Sequence, residues 1–196
     1  MRIALFGGTF DPVHGGHLEI ARVAADAYKL DRVLFIPAGD PPHKQDQLQA
    51  PYEDRYRMTA LACAEDERFE ASRLEDPAQL DGRPSYSYDT ILRVHETIEP
   101  GDELFFLLGE DAFADLKIWY RLADVLPLVE FLVVSRPDDQ RDREPAIPGA
   151  RAQWVRGIEH PASSTEIRRR VAARKPLEDL VPEAVADYIR AHKLYR

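Results

Sequence analysis

Hydrophobic residues along this chain fall into short continuous runs, separated by stretches in which they recur with helical spacing. Residues 2–6 form a nearly continuous apolar run, the pattern of a strand buried on both faces of a sheet. Apolar residues from Leu18 to Tyr28 then recur every three or four positions, which predicts a helix. Residues 32–38 predict a second buried strand. The chain therefore begins with a strand–helix–strand unit, whose crossover should be right-handed.

The same alternation continues to the end of the chain. Further helices are predicted at residues 52–64, 88–99, 122–125 and 182–192 and in the segment that opens with "SSTEIRRRVAARK", and further strands at 69–72, 103–108, 129–136 and 152–155. Residues 39–51, 73–85 and 137–150 are polar or proline-containing and predict loops. This pattern predicts an α/β fold: a doubly wound, Rossmann-like parallel sheet with helices on both faces and a C-terminal helical region. Without an internal repeat or a linker, we expect residues 1–196 to form one domain.

Composition narrows the classes of protein to which the chain can belong. No run approaches the roughly 20 apolar residues of a membrane helix, and the first apolar run is too short for a signal peptide. The chain has a single cysteine, Cys63, so an intramolecular disulfide is excluded. We expect Cys63 to be a small buried residue of the core. These features predict a cytoplasmic protein with no membrane partner. The net charge of -9 disfavours binding to nucleic acid, which needs a basic stripe, so an anionic ligand must be attracted by local groups.

The first strand leads into "GGTFDPVHGGH", residues 7–17. In a doubly wound sheet, ligands bind at the carboxyl ends of the strands, where Gly7 and Gly8 allow positive φ and close approach of the backbone to an anion. The helix that begins near Gly15 adds its amides and the positive end of its dipole. His14 and His17 lie one turn apart and can share a face. A phosphate site agrees with all four features; an incidental loop and a zinc site, for which a third ligand is missing, are the alternatives.

A second motif, "SSTEIR", opens the helix near the C-terminus at residues 163–168. A hydroxyl group here can cap the helix while the first-turn amides hold a phosphate. Arg168 lies one turn later, where its guanidinium can reach the same anion. An ordinary capping box with Glu166 is the alternative interpretation of this segment alone.

Two further segments carry candidate binding residues. "LGEDAFADLKIWYRL" places Gly109 and Asp111 at the end of the strand at 103–108, followed by Trp119 and Tyr120. "SYSYDT", around Ser87, is typical of a helix N-terminus. By residue chemistry alone, Trp119 and Tyr120 read as half-buried anchors of a short helix.

Together these motifs, in this order, resemble the HxGH nucleotidyltransferase superfamily, and "GGTFDPVHGGH" is most similar to the form found in bacterial nicotinate mononucleotide adenylyltransferases. The resemblance covers essentially the whole chain. It implies transfer of AMP from ATP to nicotinate mononucleotide by direct in-line attack, with pyrophosphate leaving and with Mg²⁺ carried on the ATP phosphates. The sequence departs from the family pattern at Ala162, where Ile or Val is usual, and at Ser87, where Thr is usual.

The resemblance also assigns roles to individual residues. Catalytic roles fall on His14, His17 and Arg168, and no residue is assigned as a metal ligand. ATP contacts fall on Gly7, Gly8, Thr9, Phe10, His14, His17, Gly109, Asp111, Ser163, Ser164, Thr165 and Arg168. Contacts with nicotinate mononucleotide fall on Lys44, Ser87, Trp119, Tyr120 and Arg136.

Several alternatives stay open at this point. Pantetheine-phosphate adenylyltransferase shares the HxGH and SST elements but usually opens with PGSFDP and is shorter. Nicotinamide mononucleotide differs from the nicotinate form by one charge, so residue chemistry alone does not separate the two substrates. A nucleotide-binding regulator without catalysis and a class I aminoacyl-tRNA synthetase fragment fit the motifs less well. The sequence leaves the oligomeric state open, a homo-oligomer included.

Overall fold

A six-stranded parallel sheet forms the centre of the protein. The computed structural model describes residues 1–41, 48–135, 147–155 and 160–196. The strands within these ranges are β1 (Arg2–Gly8), β2 (Arg32–Pro37), β3 (Phe69–Ala71), β4 (Glu103–Gly109), β5 (Glu130–Val134) and β6 (Ala152–Val155). They lie in the order β3-β2-β1-β4-β5-β6, and every neighbouring pair is parallel. The central strand β1 pairs with both halves, since Ile3 lies opposite Arg32 on one side and Leu104 on the other.

Helices cover both faces of this sheet. They are α1 (Gly15–Tyr28), α2 (Tyr52–Cys63), α3 (Pro77–Leu80), α4 (Ser87–His95), α5 (Glu110–Ala114), α6 (Leu122–Val125), α7 (Ser164–Ala172) and α8 (Glu183–His192), with a 3₁₀ turn at Asp115–Ile118. Alternate side chains of β1 enter two separate cores. Ala4 and Phe6 pack in the core with α1, α2, α7 and α8, whereas Ile3 and Leu5 pack in the core with α4, α5 and α6. The predicted doubly wound fold with its C-terminal helices is confirmed.

Two details of the prediction were wrong. Residues 73–85, predicted as loop, contain α3, because the Asp76 side chain accepts a hydrogen bond from the Ala78 N–H and Pro77 occupies the first helical position. The helix predicted at 88–99 ends at His95. Both the N–H and the hydroxyl of Thr97 bond to the Val94 carbonyl, which closes a tighter turn and competes with further helix.

Two expectations from composition can be compared with the structure. Cys63 is buried in the core, and burial raises the pKa of its thiol to about 12, so this thiol is not activated. In the described ranges, no helix combines the length and the apolar character that crossing a membrane requires. The single-domain organisation and the cytoplasmic location stay predictions.

The strand order determines where a ligand can bind. From β1 the chain winds outward through β2 and β3, and from β4 it winds the other way through β5 and β6. A crevice therefore forms between the carboxyl ends of β1 and β4, where the direction switches. Gly8 ends β1 and Gly109 ends β4, so both glycine-containing motifs reach this crevice.

Candidate active site

The glycines after the first strand provide space rather than an unusual backbone. β1 runs through Gly7 and Gly8, neither of which has positive φ; Phe10 adopts the left-handed conformation, with φ 46°. A Cβ atom on Gly8 would lie 3.0 Å from the buried Phe10 ring, which would then have to shift by a few tenths of an ångström. The Phe10 ring is buried against Phe6, which leaves only the backbone of Phe10 available to a ligand.

The two histidines of the motif form a stacked pair at the start of α1. His14 is the residue before the first helical turn, and its N–H donates to His17 Nδ1 at 3.2 Å. The two rings stack with centroids 3.7 Å apart. Because His17 Nδ1 accepts this bond, the neutral His17 ring carries its hydrogen on Nε2. Each motif histidine therefore has a defined orientation, and His17 has a defined donor.

Burial keeps both imidazoles uncharged at neutral pH. The pKa of His14 is lowered to about 4, first by burial and then by the charge of His160. The pKa of His17 is lowered well below its usual value by burial, and further by His14 and His160. His14 Nδ1 is buried and has no hydrogen-bond partner among the described residues. Neutral imidazole N–H donors at a helix N-terminus suit phosphate oxygens.

The second motif caps α7, which begins at Ser164. Ser163 Oγ accepts a hydrogen bond from the Glu166 N–H at 3.2 Å, which makes Ser163 the capping residue. The Glu166 carboxylate pairs with Arg169 and Arg170 at 2.7 and 2.9 Å rather than closing a capping box. The capping prediction for the serines is thus confirmed at Ser163, while Glu166 serves the exposed side of the helix.

Hydrogen bonds join α7 to the turn after β1, although the two lie some 150 residues apart. Ser164 Oγ donates to the Pro12 carbonyl at 2.9 Å. Arg168 Nη1 donates to the Asp11 carbonyl at 2.8 Å, and its Nη2 donates to Thr165 Oγ1 at 3.4 Å. The structure therefore brings the "GGTFDPVHGGH" and "SSTEIR" motifs together, with the N-termini of α1 and α7 beside each other.

Asp11 holds this turn in place, a role that the sequence did not reveal. The residue is 2% exposed, and its carboxylate accepts hydrogen bonds from the N–H groups of Gln49 and Ala50 at 2.7 and 3.1 Å. The Tyr195 hydroxyl donates to the same carboxylate at 2.7 Å. No periodicity or motif links Tyr195 to Asp11, because the two residues meet only in the tertiary structure.

A buried arginine supports the same turn from below. Arg55 in α2 is 1% exposed and donates from Nη1 to the Thr9 carbonyl at 2.7 Å and from Nε to the Ala50 carbonyl at 3.2 Å. Burial lowers the pKa of Arg55, although the nearby Asp11 opposes that effect. The Thr9 carbonyl is thus turned toward the core, and sequence reasoning did not identify this arginine.

The residues predicted at the end of β4 border open space. A Cβ atom on Gly109 would meet no atom within 4 Å, and Asp111 is exposed in the first turn of α5. Trp119 follows the 3₁₀ turn, and its half-buried ring packs edge-on against Phe106 with centroids 5.1 Å apart. The expectation that Trp119 anchors a short helical segment agrees with this packing, and its exposed part remains accessible to a ligand.

Tyr120 and Ser87 lie in neighbouring segments. The Tyr120 ring, which is 52% exposed, lies 4.6 Å from the Tyr86 ring between centroids. Ser87, the next residue, is the first of α4 and is half-buried. The structure thus places the segments of Ser87 and Trp119 on one side of the crevice. Lys44 and Arg136, the remaining predicted contacts, lie outside the described residues.

A buried carboxylate, Glu75, underlies this side of the crevice and was not predicted. Thr90 Oγ1 of α4 donates to Glu75 Oε1 at 2.8 Å. Burial raises the pKa of Glu75, and hydrogen bonds from Thr90, Ser85 and Gly39 oppose the rise. Glu75 therefore connects the end of β2 to the start of α4, which carries Ser87.

Among the residues that the structure describes, no group of three His, Cys, Asp or Glu side chains is placed to hold a metal ion.

Comparison with known proteins identifies the group to which this fold and these motifs belong. The model of the cytidylyltransferase-like family matches residues 5–170. The chain is 50% identical over 195 residues to a "Probable nicotinate-nucleotide adenylyltransferase" of Solibacter usitatus, and 45% identical over 197 residues to one of Thermus thermophilus, with full coverage of both partners in each case.

Solved structures agree on the fold. The nicotinic acid mononucleotide adenylyltransferase of Plasmodium falciparum, solved in complex with NaAD, matches with a TM-score of 0.78 at 17% identity, covering 99% of this chain and 97% of that one. At that identity, the likeness establishes the architecture alone. The full-length relatives establish the rest: the chain belongs to the cytidylyltransferase-like family and, within it, to the nicotinate-nucleotide adenylyltransferases.

Proposed function

We propose that this protein transfers AMP from ATP to nicotinate mononucleotide, giving nicotinate adenine dinucleotide and pyrophosphate. The observation that carries the proposal is the meeting of the stacked His14–His17 pair with the N-terminus of α7 at the switch point of the sheet. Two helix N-termini and their donor side chains converge there, which is the chemistry that a triphosphate requires. In a chain with a net charge of -9, this convergence provides the local attraction for an anion.

The bond changes need no general base and no covalent intermediate. A 5′-phosphate oxygen of nicotinate mononucleotide attacks the α-phosphorus of ATP, and the bond from that phosphorus to the bridging oxygen breaks as pyrophosphate leaves. The attacking phosphate is already ionised at pH 7, since its second pKa is about 6. The protein must therefore hold two anions in line and stabilise the charge on the transferred group.

We assign the donors of the site to separate parts of ATP. His14 and His17 contact the phosphates around the reacting phosphorus through imidazole N–H groups, which low pKa values keep neutral until the ligand arrives. The first-turn amides of α7 and the Arg168 guanidinium hold the β- and γ-phosphates. Two of the three nitrogens of Arg168 are bonded to Asp11 and Thr165 oxygens, and these bonds aim the guanidinium.

Backbone and aromatic groups complete the site. Gly7, Gly8, Thr9 and Phe10 contribute backbone to the ATP side, and Gly109 and Asp111 border the nucleoside end. A divalent metal ion accompanies ATP, and we propose Mg²⁺, held chiefly by substrate phosphates and water. On the acceptor side, Trp119 stacks on the nicotinate ring beside Ser87 and Tyr120, and Lys44 and Arg136 attract its phosphate.

One assay tests the proposal directly. Pyrophosphate release is followed with Mg²⁺–ATP and, in parallel, nicotinate mononucleotide, nicotinamide mononucleotide or phosphopantetheine. We expect release with the nicotinate form at the highest kcat/KM. Release with phosphopantetheine alone would overturn the acceptor assignment, and release with none of the three would leave a nucleotide-binding protein without this catalysis. His95→Ala, at an exposed position in the last turn of α4, is the matched histidine control.

A further inference from the structure

Gly15, the first residue of α1, has no room for a side chain. A Cβ atom there would lie 2.6 Å from Nε2 and 2.8 Å from Cε1 of His160, far closer than van der Waals contact. The backbone does not require glycine, since the φ of Gly15 lies outside the left-handed region. We propose that His160 is a positioning residue of the nucleotide site, whose ring fills the space beside Gly15 and sets the spacing between the N-termini of α1 and α7. The proposal rests on the proposed function for its ligand, ATP.

The His160 ring is fixed to the turn that leads into α7. Its Nδ1 accepts a hydrogen bond from the Ala162 N–H at 3.1 Å. With Nδ1 accepting, the neutral ring carries its hydrogen on Nε2, the nitrogen that lies against Gly15. Ala162 directly precedes Ser163, the cap of α7. A displacement of the ring therefore displaces the backbone that presents the α7 amides.

The start of α1 is also held by a backbone hydrogen bond to the segment before α8. The Gly15 N–H donates to the Leu180 carbonyl at 2.8 Å, and a Cβ atom on Gly15 would lie 3.4 Å from that oxygen. A Cβ atom on Gly16 would lie 3.5 Å from His160 Cβ. The His160 ring thus separates the backbone at the start of α1 from the backbone of the turn before α7, and it fits there because Gly15 has no side chain.

The same ring acts electrostatically on the motif histidines. His160 lowers the pKa of both His14 and His17, in addition to the larger effect of burial, and His14 also lowers the pKa of His17. The groups whose charges act on the pair are therefore the three imidazoles themselves. The side chain that sets the spacing of the two helix starts therefore also adds to the effect of burial in keeping the motif histidines neutral.

A double-mutant cycle tests the spacer role through the ATP dissociation constant, measured by calorimetry without acceptor substrate. Gly15→Ala should weaken ATP binding by about 10- to 100-fold, because the new methyl group forces the His160 ring to move and disturbs the backbone before α7 to which that ring is bonded. His160→Ala should weaken binding by only about threefold to tenfold. The double variant should bind like His160→Ala alone, since the clash is gone, whereas independent effects would multiply.

A matched control separates this clash from general damage to the motif. Gly16→Ala places a methyl group 3.1 Å from His14 Nδ1, so removal of His160 should not rescue it. Thermal unfolding is recorded for every variant. Should Gly15→Ala fail to fold, recovery of folding in the Gly15→Ala/His160→Ala double variant becomes the expected result.

A second readout does not depend on ATP binding. His160→Asn keeps an acceptor for the Ala162 N–H but removes the ionisable ring, and the pKa of His14, followed by NMR, should rise from about 4. Wild-type ATP binding in Gly15→Ala, multiplicative losses in the double variant, or an unchanged His14 titration would each overturn the proposal. ATP binding is measured without the acceptor substrate, so the double-mutant cycle remains valid even if that substrate is not nicotinate mononucleotide. If the unaltered protein does not bind ATP, the proposed function itself is overturned.

Discussion

Replacement of Asp11 by asparagine tests the hydrogen bonds that hold the turn after β1. The buried carboxylate accepts three hydrogen bonds, from the Gln49 and Ala50 N–H groups and from the Tyr195 hydroxyl, at 2.7 to 3.1 Å. Asparagine has nearly the same shape but only one acceptor oxygen. In the amide orientation that loses fewer bonds, this oxygen still accepts the hydrogen bonds from the Ala50 N–H and the Tyr195 hydroxyl. The amide NH₂ then faces the Gln49 N–H, and two donors cannot bond to each other.

The size of the effect follows from these contacts. The Gln49 N–H, whose hydrogen bond to Asp11 is only partly buried, loses its acceptor at a cost of about 1 kcal/mol, and the two remaining bonds each lose roughly 1 kcal/mol when their acceptor is no longer charged. We therefore expect Asp11→Asn to reduce the free energy of unfolding by about 3 kcal/mol, out of the roughly 5–15 kcal/mol typical of a domain. Tyr195→Phe removes one of the three bonds and should cost about 1–2 kcal/mol. Because the turn carries backbone that we propose contacts ATP, Asp11→Asn should also raise the KM for ATP.

Urea unfolding at pH 7 measures the stabilities, and pyrophosphate release measures the KM. Asp31→Asn is the matched control: Asp31 Oδ2 also accepts a backbone N–H, that of Arg2 at 2.6 Å, but the residue is exposed and water can replace the bond. This control should change the free energy of unfolding by less than about 1 kcal/mol. The reasoning fails if Asp11→Asn costs less than 1 kcal/mol, or if Tyr195→Phe costs as much as Asp11→Asn.

Three further predictions address the site itself. His17→Ala should lower kcat by about 100-fold or more while changing the KM for ATP much less, and unchanged steady-state turnover would remove His17 from catalysis. The pKa of His14 is about 4 in the folded state and near 6.5 in the unfolded state, so the unfolded state binds the proton first and the free energy of unfolding should fall as the pH drops from 6.5 toward 4. At pH 5, urea unfolding of His14→Gln should show about 2 kcal/mol less of this loss. An identical pH dependence in the variant and the unaltered protein would contradict the prediction. Trp119→Ala should raise the KM for nicotinate mononucleotide about tenfold and leave the KM for ATP unaltered, whereas equal changes in both would indicate a structural role.

The strands and helices could be predicted because each depends on the spacing of apolar residues within its own segment of the chain. Buried parallel strands need continuous apolar runs, and helices need apolar residues every three or four positions, so the alternation along the chain was enough for the doubly wound sheet. The exceptions were also local. The Asp76 cap that starts α3 and the Thr97 bonds that end α4 involve single side chains, which hydrophobic periodicity does not register.

The candidate site divides along the same line. His14 and Ser163 could be named from the sequence, because each lies at a helix start with a recognisable residue pattern, whereas the role of Trp119 followed only from the resemblance to the family. The roles of single residues inside the motifs were less accessible. Gly8 proved to lie against the Phe10 ring without positive φ, and the Phe10 side chain proved to belong to the core.

By itself, then, the sequence determined the layered α/β architecture, the two helix starts that we propose bind phosphate, and the family. Only the tertiary structure decided which distant residues support them: Tyr195 bonded to Asp11, Glu75 bonded to Thr90, and His160 in the space beside Gly15. These contacts join residues from 15 to 184 positions apart in the chain. Such pairs have no repeat period, and each partner alone looks like an ordinary polar residue. These contacts matter because the residues are buried: a polar group removed from water is costly unless it forms a hydrogen bond, and the fold decides which residue is near enough to form it.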